Sequence, residues 1–219
     1  MLRRQVLLGG WAALVAAPAR AAERGFVSIF DGRSTAGWVY GTRAGKPSRV
    51  GRGYQVQERM LVCTATDGGA LFTERQWSDF VLRFEFRLTA NANNGIAIRA
   101  PLEGDAAYVG MEIQVLDDGG SQYRELRPAQ YHGSIYDLVP ARRGHQRPLG
   151  QWNVQEITAR GSRIAVRLNG AVIVDADLGE LRDKGLADKH PGIANPGGHI
   201  GLLGHGTDVA YRRLRVKAL

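Results

Sequence analysis

The run Phe80-Val81-Leu82-Arg83-Phe84-Glu85-Phe86-Arg87-Leu88 constrains the fold more than any other stretch. Phe80, Leu82, Phe84, Phe86 and Leu88 recur with period two, and Val81, Arg83, Glu85 and Arg87 fill the alternate positions. Only an extended strand puts the first set on one face and the second on the other. A face with three phenylalanines must pack against another apolar layer, so a sheet covered on one side is implied. Similar short runs follow between Gly, Asn and Asp punctuation: 95–99, 110–118, 152–160, 163–168, 171–175, 199–203 and 208–217. Asn169-Gly170 is the strongest hairpin signal. Helical periodicity is nearly absent, and only 177–189 could hold a helical turn or two. Asn91 to Asn94 read as a turn. Gly119 to Gly150 is long and irregular, with only His132 to Tyr136 strand-like, and loops of that length are more often functional than accidental. The expected fold class is all-β, a sandwich or barrel.

The N-terminus stands apart. Residues 1–21 combine Arg3 and Arg4, an apolar run from Val6 to Ala17, and the small-residue triplet Ala19-Arg20-Ala21. That is the pattern of a secretory signal peptide, too short to span a membrane. The paired arginines also permit twin-arginine export. A periplasmic or secreted domain over residues 22–219 is therefore expected, with no later membrane span. The formal charge is +8 and falls to +5 without Arg3, Arg4 and Arg20. The remaining basic residues form no stripe, apart from the clusters Arg142-Arg143 and Arg212-Arg213-Arg215, so no nucleic-acid partner is expected. One cysteine, Cys63, excludes an intrachain disulfide and reads as a core residue.

Chemistry concentrates at Gly110 to Asp118. Met111, Ile113 and Val115 share one face, Glu112 and Gln114 the other, and Asp117 and Asp118 stand at the Gly119-Gly120 turn. A solvent-facing strand edge would look the same. Gly-x-Ser-x-Gly, a phosphate loop and zinc-type spacing are all absent. A glycosidase pair is incomplete, because the neighbour of Glu112 on its face is Gln114, which serves neither as acid nor as nucleophile. What remains is Glu112, Gln114 and Asp117 with Arg99, His132 and His205, a set suited to a hard divalent ion or a sugar. Trp38, Trp77 and Trp152 could be sugar platforms, with at least two of them expected in the core.

The order of motifs carries more. Phe30-Asp31-Gly32, Gly37-Trp38, Leu71-Phe72-Thr73, Asp79-Phe80, Asn94-Gly95-Ile96 with Arg99, Glu112-Ile113-Gln114-Val115-Leu116-Asp117, Gly133-Ser134-Ile135-Tyr136, Trp152-Asn153, Leu168-Asn169-Gly170, Gly201-Leu202 with His205-Gly206, and Tyr211-Arg212 follow one another. In this order they resemble the 3-keto-disaccharide hydrolase family of exported bacterial proteins, over about residues 26–219.

The resemblance implies a concanavalin A-like jelly-roll sandwich acting on sugars oxidised to a ketone at C3. The chemistry implied is removal of the C2 proton, expulsion of the glycosidic oxygen from C1, and hydration. It further implies Glu112, His205 and His132 as catalytic candidates, and Arg99, Gln114, Asn94 and Trp152 as sugar-binding residues. Glu112, Asp117 and His205 would hold a divalent metal ion. A sugar C3 oxidoreductase would supply the substrate, since nothing here suggests a nicotinamide or flavin site. Two departures are visible: Asn93-Asn94-Gly95 replaces the family's Asn-Ser-Gly, and Leu202-Leu203-Gly204-His205 lacks the expected Gln. The rivals are a noncatalytic carbohydrate-binding module on the same fold and an endoglucanase-like hydrolase of unoxidised sugars.

Overall fold

A computed structural model describes residues 23–43, 46–64, 68–183 and 185–219. The expected signal peptide lies outside the described residues. The strands in chain order are β1 (Val27–Ser28), β2 (Trp38–Tyr40), β3 (Tyr54–Gln57), β4 (Met60–Cys63), β5 (Gly69–Trp77), β6 (Phe80–Leu88), β7 (Asn93–Ala100) and β8 (Met111–Leu116). After the long loop come β9 (Asn153–Arg160), β10 (Arg163–Leu168), β11 (Ala171–Asp177), β12 (Gly198–Gly204) and β13 (Val209–Ala218). Two short helices interrupt them, α1 (Ala106–Val109) and α2 (Leu178–Asp183).

Two antiparallel sheets form the jelly-roll sandwich. The larger runs β11-β10-β9-β6-β13-β4-β3, with β1 also on β13; the smaller runs β2-β5-β12-β7-β8. Neighbours in each sheet are mostly distant in sequence, so the sandwich closes by long-range pairing rather than by consecutive hairpins. The exceptions are β3–β4, β7–β8, β9–β10 and β10–β11; the last pair is joined at Asn169-Gly170, where Asn169 takes the left-handed conformation with φ 49°.

The core lies between the sheets. Phe80, Leu82, Phe84, Phe86 and Leu88 of β6 face Ile96 and Ile98 of β7 and Met111, Ile113 and Val115 of β8, all buried. Trp38, Trp77 and Cys63 join this core. The away-facing side of the smaller sheet is also covered: Phe72, Ala97, Ala100, Ala106 and Leu203 form a second, smaller apolar cluster there. Both faces of β8 are also buried, where the sequence alternation suggested one face open to water.

The segment His132–Tyr136 is not a strand. It lies along the free edge of β8, exchanging backbone bonds with it: Gln114 N–H to Ser134 O (3.0 Å), Gly133 N–H to Gln114 O (2.8 Å) and Tyr136 N–H to Glu112 O (2.9 Å). An open edge is thereby capped by a loop. No helix among the described residues is long and apolar enough to cross a membrane.

Candidate active site

On the away-facing side of the smaller sheet lies a cavity of about 470 Å³. Register explains its floor. Gly95 and Ala97 of β7 pair with Gln114 and Glu112 of β8, and Gly201 and Leu203 of β12 pair with Ala97 and Gly95. Small residues therefore occupy the centre of this face, leaving room above them. A Cβ on Gly201 would come within 2.5 Å of the Phe72 ring, so glycine lets that ring lie flat on the sheet. Glu112, Gln114, Tyr108, Tyr136 and His205 provide polar walls, with Arg43 and Asp105 beside them.

Local structure brings these side chains together. Thr42 and Gly104 exchange backbone bonds with their neighbouring segments (Thr42 N–H to Leu102 O and Gly104 N–H to Thr42 O, both 3.0 Å). That pairing sets Arg43 beside Asp105, and the two form an ion pair at 3.2 Å. Asp105 also caps α1, accepting from the Ala107 N–H at 3.3 Å, and α1 places Tyr108 over the cavity. The Tyr108 hydroxyl donates to Asp137 at 3.4 Å, and Arg127 grips both Asp137 oxygens at 2.8 Å. The ring of buried His190 packs on Tyr108 from behind, centroids 4.8 Å apart. Tyr136 accepts from the Gln130 amide at 3.1 Å.

Glu112 is the chemically unusual group. It is only 4% exposed, and its Oε1 has no hydrogen-bond partner among the described residues. Burial pushes its carboxyl up to about 8; the Asp105 carboxylate adds to the rise, Arg43 opposes it, and Asp137 adds slightly. His205, on the turn after β12, keeps one side open to solvent. The protein packed round its ring, helped by Arg43 and opposed by Asp105, lowers its pKa and so favours the neutral imidazole.

The structure thus groups Glu112, Gln114 and His205 and separates the other expected site residues from them. Asn94 points into the core, where its Oδ1 accepts from Tyr211 (2.7 Å) and Tyr54 (3.3 Å). β7 begins at Asn93 rather than after a turn through Asn94, and that parity puts Asn93 on the cavity wall instead. Its Oδ1 is buried without a partner among the described residues.

Arg99 is a structural clamp, donating to Ser78 O (2.9 Å), Gly161 O (2.7 Å) and Asp79 Oδ1 (2.9 Å). Trp152 lies on the larger sheet beneath Arg87 and Arg212. Asp117 holds the turn after β8, accepting from Asn91 N–H (2.9 Å) and Gly119 N–H (3.1 Å).

His132 is enclosed between the sheets and 2% exposed. It stacks on Phe86 at 5.1 Å and accepts the Leu116 N–H on Nδ1 at 3.2 Å. Burial pushes its pKa down to about 3. The Gln155 amide nearby favours the charged form, but Nε2 makes no well-formed hydrogen bond to it. A histidine that stays neutral in the core neither reaches a substrate nor carries protons to one.

The expected metal set is also dispersed. Glu112 and His205 share the cavity and Asp117 does not, and among the described residues no three His, Cys, Asp or Glu side chains converge as metal donors.

Comparison with known proteins places the chain in a family. The family described as a 3-keto-alpha-glucoside-1,2-lyase-like domain matches residues 25–217. The chain belongs to that family. A relative from Bacteroides thetaiotaomicron, named 3-keto-disaccharide hydrolase, is 25% identical over 232 residues, covering 89% of this chain and 79% of that protein. Among solved structures, a provisionally named glycosyl hydrolase from Parabacteroides distasonis ATCC 8503 superposes with a TM-score of 0.72 at 19% identity, covering 89% of this chain and 94% of that one. A Bacillus subtilis protein with a galectin-like fold superposes with a TM-score of 0.53 at 12% identity, covering 82% and 88%. At these identities the structural likenesses bear on the fold alone.

Proposed function

We propose that the cavity cleaves the glycosidic bond of 3-keto-glycosides by elimination and hydration, with Glu112 as the base. The observation that carries the reading is the buried Glu112 carboxyl, pushed up to about 8, with one oxygen unpartnered among the described residues, on the wall of a sugar-sized cavity. A base works best when its pKa lies near the operating pH, and a carboxylate at its ordinary value would be too weak to remove a carbon-bound proton efficiently. The ketone at C3 acidifies the C2 hydrogen. Glu112 takes that proton, the C–H electrons form the enolate, and the enolate expels the oxygen at C1 to give an unsaturated keto sugar. The departing alkoxide takes the proton held by Glu112 and leaves as the aglycone alcohol, which restores the carboxylate. Water then adds across C1 and C2, hydroxyl to C1 and proton to C2, and the sum is hydrolysis.

Neutral His205 suits the role of electrophile, an imidazole N–H aimed at the developing enolate oxygen. The Arg43 guanidinium beside it lends positive charge to the same region. Gln114, Asn93 and Tyr108 offer donors and acceptors to sugar hydroxyls. Tyr108, donating to Asp137, keeps its oxygen lone pairs for a sugar O–H. A glycosidase pair is unnecessary in this chemistry: the ketone, not a second carboxylic acid, activates the bond. The substrate would come from an oxidoreductase acting at C3 of a glycoside. None of the three tryptophans lines this cavity: Trp38 and Trp77 are core and Trp152 lies on the other sheet.

The test is turnover of a chromogenic 3-keto-glucoside beside its unoxidised parent. Release from the keto sugar alone is expected. Release from the parent at a comparable rate would overturn the reading.

A further inference from the structure

A second concavity, of about 720 Å³, lies on the larger sheet's side away from the core. Arg59, Arg87, Arg212 and Arg213 line it, together with Trp152 and Phe30. Its construction departs from regular strand geometry. Strict alternation would put Arg212 and Arg213 on opposite faces of β13. The register with β6 slips between Arg212 and Arg215, and Arg213 adopts φ 54°, so the strand bulges. Both guanidiniums then face outward, where Arg212 and Arg213 donate to separate oxygens of Glu85 at 2.7 and 2.8 Å.

The far wall is the β3–β4 turn. Glu58 and Arg59 both have left-handed backbone, φ 47° and 63°, in a two-residue turn that Asn-Gly would make without strain. Three groove residues therefore hold a conformation that their side chains disfavour, and such strain collects at binding sites.

The charge is neutralised only in part, because Arg212 and Arg213 share the single carboxylate of Glu85. Arg212 and Arg87 lie over the Trp152 ring at 3.9 and 4.9 Å. Among the described residues neither Arg87 nor Arg59 has a carboxylate partner. Asp31, on the rim, is turned into its own loop, accepting from Arg33 N–H (2.7 Å), Ser34 N–H (2.8 Å) and the Ser34 hydroxyl (2.9 Å). Glu58 is the carboxylate left facing the arginines, and it is exposed.

We propose that this groove is a binding site for an anionic saccharide, a sugar bearing a carboxylate or sulfate group, with Arg87, Arg59 and Arg213 holding the anion. Guanidinium forks match the paired oxygens of carboxylate and sulfate. The volume is that of a small-molecule site, far more than a lone inorganic ion needs, and Phe30, Met60 and Trp152 supply apolar wall for a sugar ring. The site is separate from the Glu112 cavity and stands whatever Glu112 does.

The experiment is isothermal titration of the protein with glucuronate and glucose 6-sulfate, beside glucose and inorganic sulfate. Saturable one-to-one binding of an acidic sugar is expected, weakening as salt is added. Arg87→Ala should weaken it about tenfold or more, the loss of one charge-assisted contact, while Glu112→Gln leaves it unchanged. Arg59→Ala removes an exposed side chain and should weaken it without touching the fold. No saturable binding, equal binding of glucose, or binding unchanged in both arginine variants would overturn the proposal. Inorganic sulfate binding as tightly as the acidic sugars would overturn the saccharide assignment.

Discussion

The Glu112 carboxyl lies directly over the α-carbon of Gly95 on the neighbouring strand, so closely that a methyl group at Gly95 would sit 2.5 Å from Glu112 Cδ. The glycine thus fixes where the carboxyl rests. Gly95→Ala should push that side chain away, since its end can move while the strands stay paired. A displacement near 1 Å can cost about a hundredfold in rate. The expected result is kcat/KM on a 3-keto-glucoside reduced by that order, with a melting temperature close to the parent's. Unchanged turnover would show that the carboxyl position does not matter.

Glu112 should also set the pH profile. With its carboxyl held up to about 8, kcat/KM should rise with pH and level off above that value. Stability runs the opposite way. A carboxyl whose folded pKa lies above its unfolded value stabilises the fold below the unfolded value, and that contribution is lost as pH rises through about 8. Glu112→Gln should therefore abolish turnover, while its melting temperature relative to the parent's improves between pH 5 and pH 9. Thermal melts of both proteins across that range check the sign.

His132 makes a contrasting case. Its pKa is lowered by burial to about 3, so the stability it contributes is full above the ordinary histidine value and lost as pH falls toward 3. His132→Gln should keep turnover within about tenfold of the parent, well short of the hundredfold or more that loss of a general acid or base costs. It should also flatten the acid limb of stability. A thousandfold loss of kcat in a folded variant would return His132 to the catalytic machinery.

The β3–β4 turn predicts a stability gain. Left-handed backbone costs about 1–2 kcal/mol at a non-glycine residue. Replacing Glu58-Arg59 with Asn-Gly should stabilise the protein by about 1 kcal/mol or more in urea unfolding, while weakening the binding of acidic sugars. A variant that is no more stable would remove the strain argument from that groove.

Much of the fold was legible because period-two alternation is a local property: Phe80 to Leu88 and Asn169-Gly170 lie where the sequence placed them. The site was legible only in part. Glu112 and Gln114 were marked by parity within β8, and His205 by its place in the family pattern. Asn94 reads as sugar-binding only through the family pattern; the strand begins at Asn93, and one residue of register exchanges core for cavity. His132, Arg99 and Asp117 carry polar side chains for structural reasons, and only tertiary contacts separate a buried neutral histidine from a base. Tyr108 and Arg43 gave no signal, because the 42–43 and 102–109 segments meet through long-range backbone pairing.

The most direct measurement of the central claim is cleavage of a 3-keto-glucoside in D₂O, with the released 3-keto-glucose analysed for deuterium at C2. Elimination and hydration predict one deuterium at C2 in each product molecule, beyond a control of preformed product incubated with no enzyme, and none released by Glu112→Gln. Product carrying its original C2 hydrogen would contradict the account, since the bond would then have been cleaved by direct displacement at C1.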